Sequence, residues 1–173
     1  FDAMPSTQRK QLFFAQLRHA MFCEEGDKYY LNATSDLLLE TDFLDRLKEA
    51  TPCPERLAIE VTDLHTMVQL DDTQSRALRN CIATLHLWGI EVWADDVCEA
   101  ILPELLASQI RFCGVKIDKH TFWSGRTEQA KFLHLTRQCK RVASKVLIEG
   151  IETAGDFALA RASAADYGQG YLW

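Results

Sequence analysis

Six short apolar runs of this sequence each close on a residue that can hold a metal or move a proton. They are YYLN (29–32), LAIE (57–60), EVWADD (91–96), GVKID (114–118), VLIE (146–149) and DYGQ (166–169). Carboxylate and amide oxygens are the donors that hard divalent cations prefer. In a parallel barrel the strand ends surround one opening, which is where barrel enzymes do chemistry. The pattern therefore brings Asn32, Glu60, Asp95, Asp96, Lys116, Glu149 and Gln169 to one site. Neighbours on a regular strand point to opposite faces, so Asp95 and Asp96 reach one site only where their strand ends. The alternative for this pair is capping a helix over 99–108. Lys116 interrupts an apolar strand, which is costly unless its charge is paired or used; the alternative is a lysine at a strand edge reaching solvent. Asp118 lies two residues on and projects to the same side. Glu152 opens a helix, where a carboxylate is favoured by the dipole alone. Gly168 and Gly170 around Gln169 suit a close backbone approach.

The elements that must position these residues follow from periodicity. Apolar stripes at helical spacing predict a first helix opened by Pro5 and Ser6 and others over 36–50, 73–88, 99–108, 127–142 and 153–163, that over 99–108 broken or started near Pro103. Gly26-Asp27 is read as the stop of the first. Between them lie six extended runs, over 28–33, 57–62, 90–94, 112–117, 145–148 and 167–172. Strands alternating with helices imply parallel β/α units. A closed barrel of this type has eight strands, so the expected fold is an incomplete TIM-like (β/α) barrel, one α/β domain over 1–173.

Composition narrows the class. With 173 residues, 47% hydrophobic and 25% charged, the chain can bury a core. A net charge of −6 argues against a general DNA, RNA or membrane-surface binder. No apolar run reaches the roughly 20 residues of a membrane helix, and residues 1–10 lack a signal-peptide core. The six cysteines form no CxxC pair and sit mostly in apolar segments, as reduced thiols of a cytoplasmic protein would. The five histidines do not cluster in sequence, and Trp88, Trp93 and Trp123 read as core.

The ordered motifs NATS (32–35), EVTD (60–63), ADD (94–96), KID (116–118), EGIET (149–153) and QGY (169–171) resemble the EAL-domain family. Members of that family are bacterial phosphodiesterases that hydrolyse cyclic di-GMP. The likeness covers nearly the whole chain, with the first two barrel strands and the last helix of the family outside it. It implies a two-metal site for Mg²⁺ or Mn²⁺, with Asn32, Glu60 and Asp95 as ligands and Asp96 on the second metal. It implies Lys116 beside the attacking water and Glu149 as general base. Asp63, Asp118, Glu152 and Gln169 would support the site. A homodimer and an upstream sensor or GGDEF domain are family features that this sequence leaves open.

Two departures fall on one functional unit. The family pattern F-G-T-G-Y-S-S after the paired Asp is replaced by VCEAILP (97–103). The Glu that closes E-x-T-E, and anchors that loop in the family, is Asp63. Two functions follow. One is metal-dependent hydrolysis of cyclic di-GMP to linear pGpG, impaired by the altered loop. The other is a degenerate, non-catalytic domain that binds cyclic di-GMP or a protein partner. A different barrel metallo-hydrolase is the weaker third.

Overall fold

A computed structural model describes residues 4–22 and 28–173. The Gly26-Asp27 helix stop and Cys23 lie outside the described residues. The chain divides into two compact units between Val92 and Trp93.

The first unit starts with α1 (Ser6–Phe22), which buries Phe13, Phe14, Leu17 and Ala20. It continues through β1 (Tyr29–Ala33), α2 (Ser35–Leu38), α3 (Phe43–Ala50), β2 (Leu57–Val61), α4 (Leu64–Met67) and α5 (Asp72–Leu87). β1 and β2 pair in parallel. The single helix expected over 36–50 is two, because Glu40-Thr41-Asp42 interrupts it with a turn closed by Phe43 N donating to Glu40 O at 3.0 Å. The break lets Phe43, fully buried, pack its ring 5.8 Å from that of Phe13. Burial of each such side chain is worth about 1.5–3 kcal/mol. α5 begins at a capping box: the Asp71 carboxylate accepts from Gln74 N at 2.8 Å, and the Gln74 side chain accepts from Asp71 N.

The second unit takes most of β3 (Glu91–Val97), then α6 (Leu102–Ala107), β4 (Phe112–Ile117), α7 (Lys119–Ser124), α8 (Gln129–Cys139), β5 (Ala143–Ile148), α9 (Ala154–Ala162) and β6 (Tyr167–Gly168). β3 to β6 are parallel neighbours in chain order. Val115, Ile117, Val146 and Ile148 are fully buried, as are Phe122 and Phe132, whose rings lie 5.3 Å apart. Trp93 is core as expected, 2% exposed. Its ring fills the space beside Gly114, where a Cβ would lie 2.3 Å from it. Two expectations change. β6 is two residues long rather than the run 167–172, and the helix expected over 99–108 starts at Leu102, with Pro103 in its first turn.

Cys53, Cys81, Cys98, Cys113 and Cys139 are free. Burial pushes the thiols of Cys81 and Cys139 up to about 12, so both are inert core residues. No helix among the described residues is long and apolar enough to cross a membrane.

Among the described residues the most buried charged group is an aspartate. Asp156, at the start of α9, is 3% exposed. Burial pushes its carboxyl pKa up, but the Arg126 guanidinium and the amides of Glu152 and Thr153 outweigh it and hold the value below the ordinary 3.8. A depressed carboxyl contributes stability that is fully present above the unfolded value and is lost as pH falls through the folded one. The thermal midpoint should therefore drop once the pH goes below 3.8. Asp156→Asn should flatten that acid limb, as melts followed from neutral pH into strong acid will show.

Candidate functional site

In the first unit Asn32 on β1 and Glu60 on β2 are register partners. Pairing across two parallel strands puts both on one side of the pair. Asn32 is exposed and Glu60 is 9% exposed. The strand ends are tied together just beyond them. Thr62 N donates to Ala33 O at 3.1 Å. Both oxygens of Asp63 are taken by Ser35: Oδ1 accepts from its amide at 2.7 Å and Oδ2 from its hydroxyl at 2.6 Å. Asp63 thus caps α2 from outside and holds the turn that follows Asn32.

In the second unit the Asp95-Asp96 pair lies within β3, which runs on to Val97. The expectation that the strand ends at the pair is corrected. Ala94 pairs with Val115 and Val97 with Ile117, so Asp95 and Asp96 together oppose Lys116 in a β-bulge. Asp96 takes a left-handed φ of 53°, which Asp tolerates better than most residues. The pair does not cap the next helix, since α6 starts at Leu102 behind Ile101.

Lys116 is where charges meet. Its Nζ is 3.0 Å from Asp95 Oδ1 and 2.9 Å from Glu149 Oε1, with the three side chains 12%, 13% and 23% exposed. The ammonium therefore reaches no strand edge; it bridges two shielded carboxylates. Asp96 is exposed overall. Loss of hydration at its carboxyl is the largest cause raising its pKa, and repulsion from Asp95, Glu149 and Asp118 adds to it against the opposing pull of Lys116.

The supporting residues divide. The Asp118 carboxylate caps α7, accepting from His120 N at 2.8 Å and Thr121 N at 3.1 Å. Its contribution at the paired acids is electrostatic. Glu152 is exposed, and its amide donates to Asp156 Oδ2 at 3.1 Å. Gln169 works through its backbone: its amide donates to Ile148 O at 2.8 Å and its carbonyl accepts from Ile151 N at 3.1 Å. The close approach expected of its glycine neighbours is present, since a Cβ on Gly170 would lie 2.0 Å from Ile151 O.

A family model for the EAL domain matches residues 7–173, nearly the whole chain. This chain belongs to the EAL domain family. No curated protein matches it in sequence. Solved structures of EAL proteins share its fold. Klebsiella pneumoniae BlrP1, in a manganese and cyclic di-GMP complex, superposes with a TM-score of 0.74 at 21% identity, over 99% of this chain and 46% of that one. Bacillus subtilis YkuI, in complex with cyclic di-GMP and calcium, gives 0.69 at 21%, over 98% and 44%. An EAL domain protein from Listeria monocytogenes gives 0.66 at 19%, over 96% and 66%. The chain thus spans less than half the length of the first two. The fold class is that of an EAL domain: α/β, of the TIM-like barrel type, with six strands among the described residues.

The EAL domain's own residues fit a hard divalent cation in kind. Asp95 Oδ1 is buried and accepts no hydrogen bond, although the Lys116 ammonium lies in ion-pair contact. The ionised form of Asp96 is disfavoured first by lost hydration and then by three neighbouring acids, a field that a bound cation relieves. Among the described residues no group of three or more His, Cys, Asp or Glu is gathered closely enough to hold a metal. The four candidate ligands are divided, with Asn32 and Glu60 in the first unit and Asp95 and Asp96 in the second.

The altered loop of this EAL domain is a packed one. Val97, Ile101 and Leu102 are buried, and exposed Glu99 pairs with Lys131 at 2.8 Å. Sequence reading missed three residues with a place near the site: Ser35, the partner of Asp63, and the pair Arg126–Asp156. The capping-box spacing Thr153 to Asp156 was a local signal. Arg126 offered none, because its partner lies 30 residues away.

Proposed function

We propose that this EAL domain hydrolyses cyclic di-GMP to linear pGpG within the full-length protein. The observation that carries the reading is the Asp95–Lys116–Glu149 bridge, a base and a cation side by side at the ends of neighbouring strands. In the reaction a water oxygen attacks one phosphorus, the bond to the 3′ oxygen breaks, and that oxygen takes up a proton from solvent as the ring opens to give pGpG. Glu149 takes the proton of the attacking water, and Lys116 stabilises the charge that develops as the P–O bond forms. Asn32, Glu60, Asp95 and Asp96 would hold Mg²⁺ or Mn²⁺, which when bound acidifies water and neutralises phosphate charge.

Two observations favour the second reading, a non-catalytic domain that binds cyclic di-GMP or a protein partner. Asp63 spends both carboxylate oxygens on Ser35, and the loop after Asp96 has lost the family's glycines. Incubating the purified full-length protein with cyclic di-GMP and Mg²⁺ or Mn²⁺ decides between them. We expect pGpG to accumulate; intact ligand binding with no product establishes the regulator.

A further inference from the structure

Glu149 is followed at once by Gly150, whose φ of +80° lies in the left-handed region. There is little room beside it: a Cβ would lie 2.6 Å from Lys119 Cβ and 3.0 Å from Trp123 Nε1. The Gly150 carbonyl accepts a hydrogen bond from Trp123 Nε1 at 2.8 Å. Trp123 is therefore not the core residue its sequence suggests; it is half-buried and turned toward this loop. The Arg126 guanidinium lies over its ring, 5.1 Å from the centroid. The same guanidinium forks onto Asp156, with Nε to Oδ1 at 2.8 Å and Nη2 to Oδ2 at 2.9 Å. Asp156 Oδ2 then accepts from the amides of Glu152 and Thr153 at 3.1 and 3.0 Å. One connected set of side chains thus grips residues 150–153 at both ends, directly after Glu149.

We propose that Trp123, braced by Arg126 and Asp156, is a positioning residue that fixes the direction of the Glu149 carboxylate toward Lys116. The proposal rests on the reading of Glu149 as general base. The physical need is specific. A glycine in a left-handed turn has the freest backbone of any residue, and an indole N–H is a donor only, with a single direction. Pinning the Gly150 carbonyl restrains ψ at Gly150, the freest torsion beside Glu149, and so limits how far the chain at Glu149 can shift. Arg126 fixes the indole by stacking on its face, and is itself held by a forked, charge-assisted pair.

The test is Trp123→Phe in the full-length protein. Phe keeps an aromatic face for Arg126 and loses the donor. A displacement of about 1 Å at a reacting group costs up to about 100-fold in rate, so kcat should fall between about 10- and 100-fold. KM should stay within about twofold, because substrate contacts are untouched. Amide exchange at residues 149–153 should quicken by up to about tenfold, the factor expected for one lost hydrogen bond, while the thermal midpoint holds. In the crystal structure of the variant, Glu149 should leave the 2.9 Å contact with Lys116 seen in the native chain. Arg126→Lys, which keeps the charge but loses the fork, should quicken exchange at Glu152 and Thr153, and serves if the first variant fails to fold. Native exchange rates, or a Glu149–Lys116 contact kept in the variant structure, overturn the proposal, as does undiminished kcat. Failure of the phosphodiesterase reading looks different: the native protein makes no pGpG, yet the variant still loosens the loop and opens the contact.

Discussion

Glu149→Gln should lower turnover of cyclic di-GMP by about 10³-fold or more while ligand binding persists. General bases contribute roughly 10²–10⁴ to rate. The substitution changes little else. Gln has the same shape, its amide oxygen can still face Lys116, and the backbone at this position is held by Glu149 N donating to Ile117 O at 3.0 Å. What is lost is the negative charge that accepts the proton. Lys116 keeps Asp95 as a counter-charge at 3.0 Å, so removing the charge of Glu149 leaves the shielded ammonium paired. Product assays beside a binding titration separate the two effects. Turnover at the native rate removes Glu149 from the mechanism and with it the role of the loop that carries it.

Lys116→Met should act on both rate and stability. The Lys116 ammonium is the counter-charge of Asp95 and Glu149, at 3.0 and 2.9 Å, and all three side chains are largely shielded. Removing one member of a buried pair costs about 3–5 kcal/mol because it strands the other. Partial exposure reduces that here to about 2–3 kcal/mol. Turnover should fall by about 10²–10³-fold, the loss typical of a single charge-stabilising donor. Denaturant unfolding without and with Mg²⁺ gives a second readout. The cation should stabilise the variant more than the native protein, since it meets carboxylates that no ammonium neutralises. A variant as stable as the native chain means that water already screens this cluster, and Lys116 then has no special place in it.

The alternation of strands and helices was legible because burial imposes a period on sequence wherever an element has one buried face. The strand expected over 112–117 has the bounds of β4. Helix 36–50 was misread because its apolar residues keep helical spacing across a turn at 40–42 that no glycine or proline announces. The motif residues were legible for another reason: each closes an apolar run, and a strand end is visible as the place where apolar residues stop. Asp118 shows the limit. Its spacing from Lys116 suggests a place beside it in the site, yet its carboxylate is used by the amides of α7, a choice made by the helix that follows.

By itself the sequence determined which strand bears each candidate residue and that each lies toward that strand's end, since both are properties of a residue and its near neighbours. The tertiary structure decided how they face one another. Asp95 and Asp96 share a side with Lys116 because β3 bulges against β4, and a bulge is a property of two paired strands. Trp123 turns toward Gly150 because α7 and the loop after β5 meet in space. Contacts of that kind join positions tens of residues apart, and no local pattern of side chains records them.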